Sequence, residues 1–202
     1  MRKITKNPEQ LGLKDFYSWK KNHPQAEYAK LQKLEKAGLK AVLLAEQFYL
    51  CAYCCNEVGQ DGSSNIDHVR PQKNAPEAQL DYENLVVSCT TKSQCNQSKK
   101  DKDLPITPLQ DVCETSFKFH ISGEVTGNTK AANGTINILK LGCKNENKAL
   151  QNLRQKQIQS FAFEDGRAVS KDEMVSLLQA STEKMLPFQP ILQQLLDTGA
   201  FD

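Results

Sequence analysis

The sequence predicts an α+β chain in which a small, metal-stapled β core is flanked by an N-terminal helical segment and a C-terminal hairpin-plus-helices lobe. Three observations carry that expectation. Apolar residues recur at helical spacing through residues 14–47, five of seven cysteines crowd between Cys51 and Cys95, and SFKFHISG alternates with strand periodicity ahead of further helical stretches. The boundaries read as 1–47 for the helical segment, 48–112 for the core and 113–202 for the lobe.

Residues 14–22 (KDFYSWKKN) form a short helical pattern stopped by Pro24. Residues 26–47 read as helical through Tyr28, Leu31, Leu34, Leu39, Val42 and Leu43, with Gly38 a point where the helix splits. From about 48 to 72 the pattern shortens to FYLCAYC, a polar turn VGQDGSS and NIDHV, which predicts a β-hairpin with CxxC at its first corner. ENLVVSC follows, then the lysine-rich SQCNQSKKDKD, read as one helix. Past Pro105 and Pro108, Phe117, Phe119 and Ile121 alternate with Lys118 and His120, and Gly123 and Gly127 supply turn residues for a second hairpin. Helical stretches at roughly 145–163, 171–184 and 188–197 complete the chain. His120 and His23 read as plain surface residues.

Composition excludes several classes. No apolar run approaches the about 18 residues that cross a bilayer, and MRKITKNPEQ lacks the apolar core of a signal peptide. A cytoplasmic protein with no membrane contact is therefore expected. The net charge of +2 names no partner. Residues 1–40 carry ten Lys/Arg against four Asp/Glu, and residues 161–202 carry three against seven. Such asymmetry suits a nucleic-acid contact toward the N-terminal half, and solvated helix faces explain it as well.

Clustered cysteines in a chain with no export signal read as metal ligands and not as a disulfide framework. Cys51 and Cys54 form CAYC, and Cys89 and Cys95 form CTTKSQC. Two pairs a few dozen residues apart fit a tetrahedral structural Zn²⁺ site, although the second pair has five intervening residues where two are usual. Cys55 is the substitute ligand for Cys54, and buried free cysteines are the bland alternative. Between the pairs lie Asp67 and His68 in NIDHVRP, then Asn84 in YENLVV, and Asn96 follows Cys95 directly.

In this order and spacing the residues resemble the HNH (ββα-metal) nuclease motif. Its pattern of CxxC, a DH ending a strand, NL, and a second cysteine pair running into Asn or His and then Lys is met by Cys51-Cys54, Asp67-His68, Asn84-Leu85, Cys89-Cys95, Asn96 and Lys99. The resemblance implies a nuclease hydrolysing phosphodiester bonds. By the resemblance His68 would be the base, since a neutral imidazole with a pKa of about 6.5 can take a proton from water at neutral pH. A hard divalent ion, Mg²⁺, accepts oxygen ligands and stabilises the phosphate and the departing oxygen, and Asp67 and Asn96 would hold it. Asn84 would brace the loop that positions His68. Arg70, Lys99 and Lys100 would contact backbone phosphates, against the plainer reading of solvated charges. With Asn96 in the third position the motif is an H-N-N variant, and an amide oxygen suits Mg²⁺ better than Zn²⁺. Adjacent strand residues point to opposite sides, so the Asp67-His68 pair requires the strand to end or kink there, as Pro71 allows.

Beyond the motif, MRKITKNPEQL, FKFHISGEV, AANGTINILKL, the helix bearing Leu150, Leu153 and Arg154, and LPFQPILQQLL follow an order similar to the HNH subunit of Septu-type anti-phage defence, including its retron-associated versions. That similarity implies an ABC-type ATPase partner, with a retron reverse transcriptase and its RNA–DNA product in the retron case. The N-terminal helices and C-terminal lobe would be the docking surfaces. Two other readings stand beside it: a zinc-stapled nucleic-acid-binding module without catalysis, and a stand-alone restriction-type HNH enzyme.

Overall fold

The pattern at residues 14–22 becomes helix α1 (Lys14–Asn22) in the computed structural model, which describes residues 1–180 and 183–201. Asp15 lies in its first turn and Lys20 and Lys21 in its last, matching the helix dipole. Phe16 and Trp19, three residues apart, point inward. Helix α2 (Lys33–Glu46) begins later than residue 26. The chain before it makes a short 3₁₀ turn at Tyr28–Lys30 and an extended link through Leu31 and Gln32. Gly38 does not split α2, because the position faces open space and Leu39, Val42, Leu43 and Leu44 bury the opposite face. That burial outweighs the roughly 1 kcal/mol that glycine costs a helix.

The expected pairing of FYLCAYC with NIDHV does not form. Strand β1 (Ser64–His68) instead pairs antiparallel with β2 (Leu85–Cys89), with Ile66 opposite Val87 and His68 opposite Leu85. Every residue of β2 is buried, and apart from Ser88 it offers β1 an apolar partner. Residues 48–55 cannot serve: Phe48, Tyr49 and Cys55 adopt left-handed backbone conformations, and a Cys55 N–H to Cys51 carbonyl bond of 3.0 Å closes the segment into a turn. This turn leans on β2 through an Ala52 N–H to Val87 carbonyl bond of 3.0 Å. Helix α3 (Cys95–Lys99) is a shorter form of the helix expected from SQCNQSKKDKD.

The second hairpin is present as β3 (Phe117–Phe119) and β4 (Val125–Gly127). Phe117 and Phe119 are buried, but Ile121 lies beyond the strand and is exposed. The turn needs Gly123: its φ is 79°, and a Cβ there would meet the Gln151 carbonyl oxygen at 2.1 Å. Helix α4 (Lys130–Leu139) was not expected from the sequence. Gly134, Thr135 and Ile136 lower its helical propensity, whereas Thr129 caps it by accepting the Ala132 N–H, and α3 packs on it. The later helices are α5 (Lys148–Ala162), α6 (Lys171–Gln179) and α7 (Gln189–Asp197), near the expected spans. The expected end of α6 crosses residues 181 and 182, which lie outside the described residues. A two-residue hairpin, β5 (Phe163–Glu164) with β6 (Arg167–Ala168), joins α5 to α6. One apolar cluster runs from Met1 through β2 to Leu196. Among the described residues no helix is long and apolar enough to cross a membrane.

Candidate active site and metal centre

The two cysteine pairs converge. Cys51 and Cys54 sit on the tight turn, Cys89 ends β2 and Cys95 opens α3. Their four sulfurs lie within 4.8 Å of one another, all buried. The five-residue spacing is closed by left-handed conformations at Ser93 (φ 61°) and Cys95 (φ 51°). All seven cysteines are free thiols, and Cys55 is outside the cluster. The Cys51 and Cys95 sulfurs are 3.8 Å apart. A tetrahedron with Zn–S bonds of about 2.3 Å has edges of about 3.8 Å, so the donor set fits Zn²⁺. The Cys89 N–H points at the Cys51 sulfur (3.3 Å), and the Gln94 amide donates toward Cys89 (3.6 Å) and Cys54 (4.0 Å). Hydrogen bonds from the other three thiols and from Gln94 drive the Cys89 thiol far below its ordinary value.

Strand alternation sorts the residues around β1. Asn65 and Asp67 share the face covered by α3. There the Asn96 amide donates to the Asn65 side-chain oxygen at 2.7 Å, and Lys99 pairs with Asp67 at 3.3 Å. The Lys99 ammonium also donates to the His68 carbonyl at 2.7 Å, and the Tyr53 hydroxyl to Asp67 at 2.5 Å. Burial, and after it the Asp67 carboxylate, pushes the Tyr53 phenol well up, so it stays a donor. Asn96 Oδ1 is buried and has no hydrogen-bond partner among the described residues. A buried acceptor oxygen left open on α3, the helix whose Lys99 pairs with Asp67, fits a hard cation.

His68 ends β1, as the side-by-side pair requires, and is 7% exposed. Its Nε2 lies 2.9 Å from the Gln79 carbonyl oxygen. A carbonyl only accepts, so Nε2 carries the hydrogen and Nδ1 is left with a lone pair. The Gln72 amide nitrogen is 3.2 Å from the same Nε2, a contact satisfied when the amide turns its oxygen inward. Burial pushes the His68 imidazole below its ordinary value, which favours the neutral form. Asn84 is buried and spans the loop after β1. Its oxygen accepts the Arg70 N–H (2.8 Å), and its amide donates to the Arg70 and Ala78 carbonyls (both 3.1 Å). Ala78 precedes Gln79, so this brace sits directly behind the acceptor for His68.

The basic residues divide. Lys100 is exposed, and Arg70 is exposed and paired with Glu77 at 3.0 Å. Lys99 departs from the expected solvated phosphate contact: at 1% exposure it turns inward, because Asp67 and the His68 carbonyl both draw its ammonium. The sequence reading missed Tyr53, Asn65, Gln94, Gln79 and Tyr28. Tyr53 was within sight, inside CAYC, and Asn65 stands two residues from Asp67 on a strand. Tyr28 carried no signal, because nothing in a helical pattern tells that its ring meets the ring of His68, with centroids 4.7 Å apart and planes at 87°.

Residues 51–102 match the HNH endonuclease family model. No curated protein matches the chain. An HNH endonuclease domain thus occupies the stretch from Cys51 past Lys100, and that family implies metal-dependent nuclease activity on nucleic acid.

Proposed function

We propose that the chain is a Mg²⁺-dependent HNH endonuclease with a structural Zn²⁺, in which His68 is the general base and Asp67 and Asn96 hold the catalytic ion. The observation that carries this reading is the open, buried Oδ1 of Asn96, whose amide nitrogen is bonded to Asn65 on the face of β1 that bears Asp67. The ion, when bound, would stabilise charge on the phosphate and the departing oxygen. His68 takes the proton of the attacking water at Nδ1, while the Gln79 carbonyl holds Nε2–H and so fixes the tautomer. Asn84 keeps that carbonyl in place, and Arg70 and Lys100 are exposed where they can meet backbone phosphates.

The chain-long order of motifs supports a finer reading, a cytoplasmic effector of Septu-type or retron-associated anti-phage defence. In that reading an ABC-type ATPase docks on the N-terminal helices and C-terminal lobe and holds the nuclease inactive until infection. Co-purification from the native operon checks this: a chain that elutes alone and cuts DNA freely refutes the regulated complex. The test of catalysis is incubation of the chain, with and without that ATPase, with plasmid DNA or tRNA and Mg²⁺. His68→Ala is expected to lose about 10²- to 10⁴-fold in rate. Cleavage that persists in this variant overturns the assignment of the base.

A further inference from the structure

The contacts of His68 with the Gln79 carbonyl and the Gln72 amide both fall on Nε2 and so leave the ring free to turn about a line through that atom. The structure supplies a second constraint from outside the HNH domain. The 3₁₀ turn Tyr28–Lys30 crosses in front of His68, and the Tyr28 ring meets the imidazole edge to face, centroids 4.7 Å apart at 87°. The turn is tied to the element that already holds His68. The Tyr28 N–H donates to the Gln79 side-chain oxygen at 2.9 Å, while the Gln79 backbone carbonyl accepts from His68 Nε2 at 2.9 Å. Gln79 therefore grips the tyrosine with one oxygen and the histidine with the other. The Lys36 ammonium lies 5.1 Å from the centre of the Tyr28 ring, and buried Leu31 anchors the chain just past the turn.

Resting on the nuclease reading above, we propose that Tyr28 is a positioning residue for the general base: its ring and its tether to Gln79 lock the imidazole in the plane that aims Nδ1 at the attacking water. An edge-to-face aromatic pair stabilises to about the same extent as the hydrogen bond it reinforces here. Burial and the Asp67 carboxylate push the Tyr28 phenol up to about 12, so its hydroxyl remains protonated throughout. The geometry assigns the function to the ring and not to the hydroxyl.

The experiment compares full-length Tyr28→Phe and Tyr28→Leu, with Gln79→Ala as a third variant that cuts only the tether and leaves the backbone carbonyl in place. Two quantities are read: kcat and KM on plasmid DNA, and the ¹⁵N shifts of the His68 ring nitrogens without substrate. Tyr28→Phe is expected to match the wild type in both. Tyr28→Leu is expected to lose about 10- to 100-fold in kcat with KM unchanged and, because a ring free to turn loosens its Nε2–H bond to the Gln79 carbonyl, to show a mixture of His68 tautomers. Gln79→Ala moves the same way by less. A Tyr28→Leu or Gln79→Ala protein that keeps full kcat and a single Nε2–H tautomer overturns the proposal and leaves the nuclease reading standing. If the wild type cuts nothing while Tyr28→Leu still mixes the tautomers, the nuclease reading fails and the positioning role survives.

Discussion

Removing the metal from the four-cysteine cluster is expected to unfold the nuclease core instead of merely loosening it. The four sulfurs come from the tight turn at Cys51 and Cys54, the end of β2 and the start of α3, and outside this cluster short hydrogen-bonded links hold those three pieces together. Ser93 and Cys95 are also held in left-handed conformations, which cost about 1–2 kcal/mol each for residues with a side chain. Structural zinc contributes about 10–16 kcal/mol of apparent binding free energy to the domains it staples, whereas a whole domain is stable by about 5–15 kcal/mol. Losing the first term exceeds or consumes the second. Cys54→Ser should therefore lose its metal and its cooperative thermal transition, and elemental analysis of the wild type should find about one zinc per chain. Chelation followed by calorimetry makes the same comparison without mutation. A metal-free protein with an unchanged melting temperature refutes the reasoning.

The remaining predictions separate fold from chemistry. Asn96→Ala loses one hydrogen bond, to Asn65, so stability should fall by about 1 kcal/mol while Mg²⁺-dependent cleavage disappears; wild-type cleavage would remove Asn96 from the ion site. Asn84→Ala leaves the Arg70 N–H and carbonyl without their partner and the Ala78 carbonyl with the Asp81 N–H alone, and urea unfolding should show a loss of about 2–3 kcal/mol. Tyr53→Phe removes the donor to Asp67 and should change the Mg²⁺ concentration needed for cleavage while zinc content stays the same. Arg154 is 1% exposed, donates to the Gly123 and Leu141 carbonyls, and makes no ion pair with an acidic residue among the described residues. Burial lowers its guanidinium to about 10, and the Cys54, Cys55 and Cys95 side chains oppose that shift. Arg154→Met should release zinc to a chelator faster than the wild type; an unchanged release rate would mean the guanidinium serves only the two carbonyls.

How much of this was legible depends on whether the information is local. The cysteine pairs, Asp67-His68, Asn84 and Asn96 could be read because metal sites and bases need particular residue types at particular spacings. The pairing of β1 with β2 could not, since FYLCAYC has strand-like composition and only the three left-handed residues at Phe48, Tyr49 and Cys55 remove it from the sheet. Helix α4 was hidden by glycine and β-branched residues, whose weak propensity is overridden by packing against α3. Lys99 read as a solvated charge because lysine usually is one. Its burial follows from an Asp67 that only the folded β1 and α3 bring beside it.

The same arrangement explains why a staple with no chemistry of its own stands next to the site. Tyr53, which holds Asp67, lies between Cys51 and Cys54 of the four-cysteine cluster, and Asn96 is bonded directly to Cys95 of the same cluster. Ser88 completes the link: its hydroxyl accepts the Asn96 N–H at 3.3 Å and stands 3.8 Å from the Cys51 sulfur. The donor that orients the carboxylate and the amide with the open oxygen are each within one residue of a metal ligand. Fixing the four sulfurs therefore fixes the distance between the Asp67 face of β1 and the start of α3. In the proposed ion site that distance would decide whether one ion reaches both oxygens, so metal at the cysteine cluster and activity at His68 should rise and fall together even though no atom of the first takes part in the second.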